Sequence, residues 1–246
     1  MAARKPPESW FWSHDIQTNH VDDVVLPGMH LMRLSIYGTG KMRRFAAISF
    51  REVGAESVYL VDVPAAEVAA KVADAGAHPV SITADTDGGD LRFSLVLHKG
   101  PGSLSSLHLD LDEAGLCKLA DDQHCIADFT TYVVGGARKY AAIVEERSGP
   151  SWVLPNVTAQ ELDAKLLELG ATLVRLRSFA EGTGPRRFTA VAERINVGRW
   201  AWYADIDGDT VARHLNTNDS YPFDLEAYRD DRGVRYNVVM YRDRPS

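Results

Sequence analysis

Residues Arg186–Glu193 read RRFTAVAE, and Arg43–Phe50 read RRFAAISF. The echo is one of five. A base followed by an aromatic residue recurs as Arg44-Phe45, Arg92-Phe93, Lys139-Tyr140, Arg187-Phe188 and Arg235-Tyr236, at steps of 48, 47, 48 and 48 residues. A short apolar run follows each pair: AAI, SLV, AAI, TAV and NVV. Self-similarity at a fixed period of this length is the signature of a repeat architecture.

Two further columns keep the same register. An acid or amide precedes an aliphatic residue at Asp15-Ile16, Asp62-Val63, Asp110-Leu111, Asn156-Val157 and Asp205-Ile206. About five residues on, an aliphatic residue stands at Val21, Val68, Leu116, Leu162 and Val211. SWFWSHDI near the start matches RWAWYADI near residue 200, so the first copy is complete from its first strand. The chain is read as a single repeat domain over residues 1–246, with copies at roughly 8–54, 55–101, 102–149, 150–197 and 198–246.

The fourth copy shows the unit best. SWVLPN is a short strand, Thr158 and Glu161 form a capping box, and Leu162, Leu166 and Leu169 place an apolar stripe at helical spacing. Gly170 stands where helices end left-handed. ATLVRLRSF then alternates with period two, and the Gly-rich EGTGP turns the chain into the strand RRFTAVAE. Each copy is therefore strand, helix, strand, hairpin, strand.

Such a unit cannot cover both faces of its sheet alone, so neighbours must. The expected fold is α/β: a five-bladed α/β propeller of pentein-like toroidal topology with its helices outside. Closure is expected by pairing the strand around Trp10-Phe11-Trp12 with the C-terminal strand Tyr236–Tyr241, which removes exposed edges. An open solenoid is the alternative.

The unit resembles the bacterial tandem repeat that precedes the β-lactamase-like domain of polyglycine hydrolases. The resemblance rests on a Trp-bearing strand, a helix, the GAHPVSI stretch at Gly76–Ile82, and RRFAAI and RKYAAI at Arg43–Ile48 and Arg138–Ile143. It implies a recognition or scaffold module. The hydrolytic serine of that family lies in the other domain, and this sequence has no Ser-x-x-Lys motif, so peptidase activity is not carried over.

Bulk properties narrow the partners. A net charge of −7 with no Lys/Arg run argues against nucleic acid. No run of about 18 apolar residues marks a membrane span, and MAARKPPESWFW has no apolar stretch of signal-peptide length, so a cytoplasmic location is expected. Two cysteines, Cys117 and Cys125, make no disulfide framework.

Chemistry in a repeat protein is best sought where copies depart from consensus. The strand after the helix carries a polar face: Arg33 and Ser35, Ser81 and Thr83, Asp128 and Thr130, Arg175 and Arg177, Asp224 and Glu226. Facing a central opening, Arg33, Arg175, Arg177, Ser81 and Thr83 would bind a small polar molecule or peptide. Asp128, Asp224 and Glu226 would supply acid–base groups if the chain were instead a small enzyme. Otherwise that face is simply the solvated side of each sheet. A third reading, a structural interaction protein, expects a plugged centre.

Two positions after the helix-ending Gly, His30, His78 and His124 form a column that could converge on a metal ion, or could instead cap helix ends. His108-Leu109-Asp110 resembles the His-x-Asp pair of guanidine-modifying penteins, but no Cys follows Cys125, so a deiminase is excluded. Trp10, Trp12, Trp152, Trp200 and Trp202 occupy the first-strand column, where packing competes with stacking on a glycan.

Overall fold

The structure is a computed structural model that describes residues 6–26, 28–51, 56–86, 89–100, 105–180 and 184–242. Part of the EGTGP turn, residues 181–183, lies outside the described residues.

Each copy folds into its own three-stranded antiparallel sheet. Copy 1 comprises β1 (Trp10–Ile16), β2 (His30–Tyr37) and β3 (Arg44–Phe50), and copy 2 comprises β4 (Glu56–Pro64), β5 (His78–Asp85) and β6 (Arg92–Lys99). Copy 3 has β7 (Ser105–Leu111), β8 (His124–Val134) and β9 (Ala137–Glu146), and copy 4 has β10 (Ser151–Val157), β11 (Thr172–Phe179) and β12 (Arg187–Glu193). Copy 5 has β13 (Arg199–Ile206), β14 (Tyr221–Asp230) and β15 (Gly233–Arg242). In every sheet the third strand lies between the first and second.

Helices α1 (Val68–Ala75), α2 (Glu113–Cys117), α3 (Ala159–Leu169) and α4 (Gly208–Thr217) join first and second strands in copies 2 to 5. Copy 1 has only a 3-10 segment, Thr18–Val24, with non-helical geometry at His20 and no side-chain cap. By contrast α3 has both arms of its Thr158–Glu161 capping box and ends at Gly170 with φ 56°. The helical column is an anchor in every copy: Val21, Val68, Leu116, Leu162 and Val211 are all buried. So are the aromatics of the quoted echo, Phe45, Phe93, Tyr140, Phe188 and Tyr236.

The acid-or-amide column has a backbone cause. Asp15, Asp62, Asp110, Asn156 and Asp205 adopt φ between 51° and 63°. Asp and Asn tolerate this left-handed region better than other residues with a side chain. Each sits at a break in register between first and third strands, a β-bulge. The base of the echo holds the bulge: Arg44 reaches Asp15 at 3.3 Å, Lys139 reaches Asp110 at 3.2 Å, and Arg92 donates to the Asp62 carbonyl at 3.0 Å. Arg187 bonds Asn156 likewise. In copy 5, Arg232 of the hairpin bonds Asp205 at 2.6 Å.

Second strands pack on one another between copies: β2 on β5, β5 on β8, β8 on β11, β11 on β14, and β14 back on β2. The expected strand pairing of the two chain ends does not occur. β1 pairs with β3, while β15 has both edges filled by β13 and β14 and offers none to β1. The ends meet through side chains instead. The Trp12 and Tyr236 rings stand edge-on at 5.9 Å, Phe50 and Tyr221 at 5.7 Å, and the Ala227 amide donates to Ser35 Oγ at 2.8 Å. Among the described residues no helix is long and apolar enough to cross a membrane.

Candidate functional site

A second bulge, in the second strand of each copy, places the polar column. Register shifts fall between Leu31 and Arg33, Pro79 and Ser81, Ile126 and Asp128, Leu173 and Arg175, and Pro222 and Asp224. The column starts right after each shift. Its members are not a solvated face: Arg33, Ser81, Thr83, Asp128, Arg175, Arg177 and Asp224 are all buried, and both faces of β11 are covered.

The column stitches each copy to the next. Leu34 and Ile36 donate their amides to Ser81 Oγ (3.4 Å) and Thr83 Oγ1 (3.2 Å). Ile82 and Ala84 donate to Asp128 Oδ2 (2.9 Å) and Thr130 Oγ1 (3.2 Å). Leu176 donates to Asp224 Oδ2 at 2.9 Å and Ser178 to Glu226 Oε2 at 2.8 Å. Where the column holds arginine it cannot accept, so polarity reverses. Arg175 Nε donates to the Ala127 carbonyl at 2.6 Å and Arg177 Nε to that of Phe129 at 2.8 Å. Arg33 gives Nη1 to the Val80 carbonyl at 2.6 Å.

The charged members close on one another. Arg177 lies between Asp128 (2.6 Å) and Asp224 (2.8 Å), and Arg175 lies 3.7 Å from Asp128 and over the Phe223 ring. Burial pushes the Arg177 guanidinium down, but the charges and hydrogen bonds of Asp224 and Asp128 outweigh it and hold it above its ordinary value. Burial likewise works against the Asp224 carboxylate, yet Arg177 and Arg175 keep it below the usual carboxylate range. Glu226 goes the other way. Burial raises it, and Arg177, Ser178 and Asn237 offset this only in part. Arginines and carboxyl groups nominated for a ligand are therefore consumed by one another and by the backbone.

The histidine column does not converge. Counting back from the polar column, the position held by His30 and His78 is held in copy 3 by Cys125, not His124. Cross-strand partners agree: His30 faces Phe50, His78 faces His98 and Cys125 faces Glu145. A one-residue offset turns a strand side chain to the other face. His124 accordingly sits apart, with Nδ1 3.0 Å from Asp121. His30 and His78 instead flank His98, with ring centroids 6.4 and 6.1 Å away. Among the described residues no three His, Cys, Asp or Glu side chains are grouped to hold a metal ion.

The remaining candidates have structural roles. Asp110 occupies its bulge, and His108 contacts Ser106 Oγ at 2.9 Å. Cys125 Sγ receives Arg147 Nη2 at 2.9 Å, but burial pushes its thiol up, against the pull of Arg147. Burial also raises Cys117. The tryptophans pack against the core, and Trp202 Nε1 donates to Asp163 at 2.9 Å.

Concave sites lie away from the column, one of them beside Gln123, His124, Glu146, Arg147 and Ser148. A cavity of about 230 Å³ in copy 5 is lined by Arg199, Trp200, Ala201, Thr217, Asn218, Ser220 and Arg242. The repeat alignment carried the signal for it: Arg199 and Arg242 occupy the strand-end positions held in copy 2 by Glu56 and Lys99. No protein-family model matches the chain, and no curated protein matches it.

Proposed function

We propose that the chain is a recognition and scaffold module, a five-bladed α/β propeller whose centre is closed by its own side chains and whose ligands, small polar molecules or peptides, are met at its surface. The cyclic contact of second strands supports the ring, and the five equal units support kinship with the repeats of polyglycine hydrolases. A cytoplasmic setting fits the two free cysteines.

One observation carries the reading: Arg177 is clamped between Asp128 and Asp224, with both carboxylates already accepting backbone amides. A general acid or base must reach a substrate proton directly or through one water, and Asp128 has no exposed surface at all. Asp224→Asn tests this. The amide would point an N–H donor at Arg177 or at the Leu176 amide, so the variant should unfold at markedly lower temperature. A variant with unchanged thermal midpoint would return the column to binding or catalysis.

A further inference from the structure

Arg199 and Arg242 are direct cross-strand partners at the open end of copy 5. Like charges placed opposite each other in an antiparallel pair repel. Copy 2 resolves the equivalent pair as a salt bridge, with Lys99 Nζ 2.9 Å from Glu56 Oε1. Copy 5 does not. Among the described residues the Arg199 side chain has no hydrogen-bond or ion-pair partner, and that of Arg242 has only Asp219, at 3.6 Å. Both arginines border the same cavity, and Trp200, Ala201 and Thr217 are among its other lining residues. Of the other polar groups there, Ser220 Oγ is committed to the Asn218 carbonyl and Asn218 Nδ2 to Tyr203.

We propose that this cavity is an oxyanion site in which Arg199 and Arg242 together clamp the phosphate or carboxylate group of a small ligand. An anion between the two guanidiniums removes their repulsion and offers each a bidentate bond. Ala201 and Trp200 are the apolar residues among those that line the cavity. The cavity is smaller than the roughly 300 Å³ at which drug-sized sites begin, so the ligand is a small one. Asp219 competes for Arg242 and sets part of the cost of entry.

The inference deepens the recognition reading by giving it a ligand class, but the two fail separately, because the column variant Asp224→Asn does not touch this cavity. The test titrates purified protein with inorganic phosphate and, separately, acetate by calorimetry, against sodium chloride at matched ionic strength. Saturable binding of either anion is expected, weakened at least about tenfold by Arg199→Glu and by Arg242→Gln. Stronger phosphate binding would assign a phosphate monoester, and stronger acetate binding a carboxylate. Arg199→Glu recreates the Glu56–Lys99 arrangement, so it should also raise the thermal midpoint without ligand; should it misfold, Arg242→Gln decides. Absence of saturable binding by both anions, or binding unchanged in the variants, would overturn the proposal.

Discussion

The junction of copies 1 and 2 and the junctions around copy 4 solve one problem with different chemistry. Both must satisfy the backbone of second strands that face each other without pairing. Copies 1 and 2 use mainly neutral hydroxyls, Ser81 and Thr83, as acceptors for Leu34 and Ile36, with Arg33 adding a donor to the Val80 carbonyl. Copy 4 uses Arg175 and Arg177 as donors toward copy 3, and Asp224 and Glu226 of copy 5 as acceptors. A neutral hydrogen bond contributes modestly, whereas a buried charge network is costly to break at a single point. Every junction is thus fastened, but not with equal strength.

That contrast can be broken directly. Arg177→Met leaves Asp128 and Asp224 buried without their shared partner, and should cost about 3–5 kcal/mol in urea unfolding. Adding Asp224→Leu should recover part of the loss, which a ligand-binding role for Arg177 would not predict. Ser81→Ala strands only the Leu34 amide and should cost about 1–3 kcal/mol. If the two single variants were equally harmful, the distinction between the junctions would disappear.

A smaller effect separates the helices. Thr158→Ala removes the cap of α3 and should cost about 1 kcal/mol. Thr18→Ala in copy 1, whose 3-10 segment has no side-chain cap, should be close to neutral in the same assay.

The smallest effect is a pH dependence contributed at the first junction. Among the described residues no carboxylate bonds His98; its Nε2 meets the Leu31 carbonyl at 2.8 Å, and Arg33, His78 and His30 surround it. Burial first, and those neighbouring charges after it, hold its imidazole below the ordinary value. The unfolded chain takes up this proton near pH 6.5 while the folded chain resists it. Stability should therefore fall as pH drops below about 6.5, and level off once the folded imidazole also titrates. His98→Phe, which copies the Phe50 of copy 1, should flatten that slope in denaturation series between acidic and neutral pH.

Much of the architecture was legible because repeat columns report physical needs directly. The acid-or-amide column marks a left-handed bulge, the base beside the echo fastens it, and the aliphatic column anchors the helix. The strand pairing of the two chain ends was misread because a strand pattern does not disclose which edges are already taken. The burial of the polar column was hidden for a related reason. Alternation places Arg33 and Ser35 on one face but does not distinguish a solvated face from one covered by the next copy. His124 was aligned by counting from the helix end, across a connection whose length varies between copies. Counting from the second-strand bulge puts Cys125 there. The arginine pair of copy 5 was visible in principle, as a like-charged substitute for Glu56 and Lys99.

The reversal of hydrogen-bond polarity at copy 4 has an implication for assembly order. An arginine in the column demands bare carbonyls next door, and a carboxylate or hydroxyl demands bare amides, so two residues per unit act as an address that fits some neighbours and refuses others. Exchange of a unit between two chains, or its insertion at the wrong place in the order, would set donor against donor; similar modules thereby keep fixed neighbours.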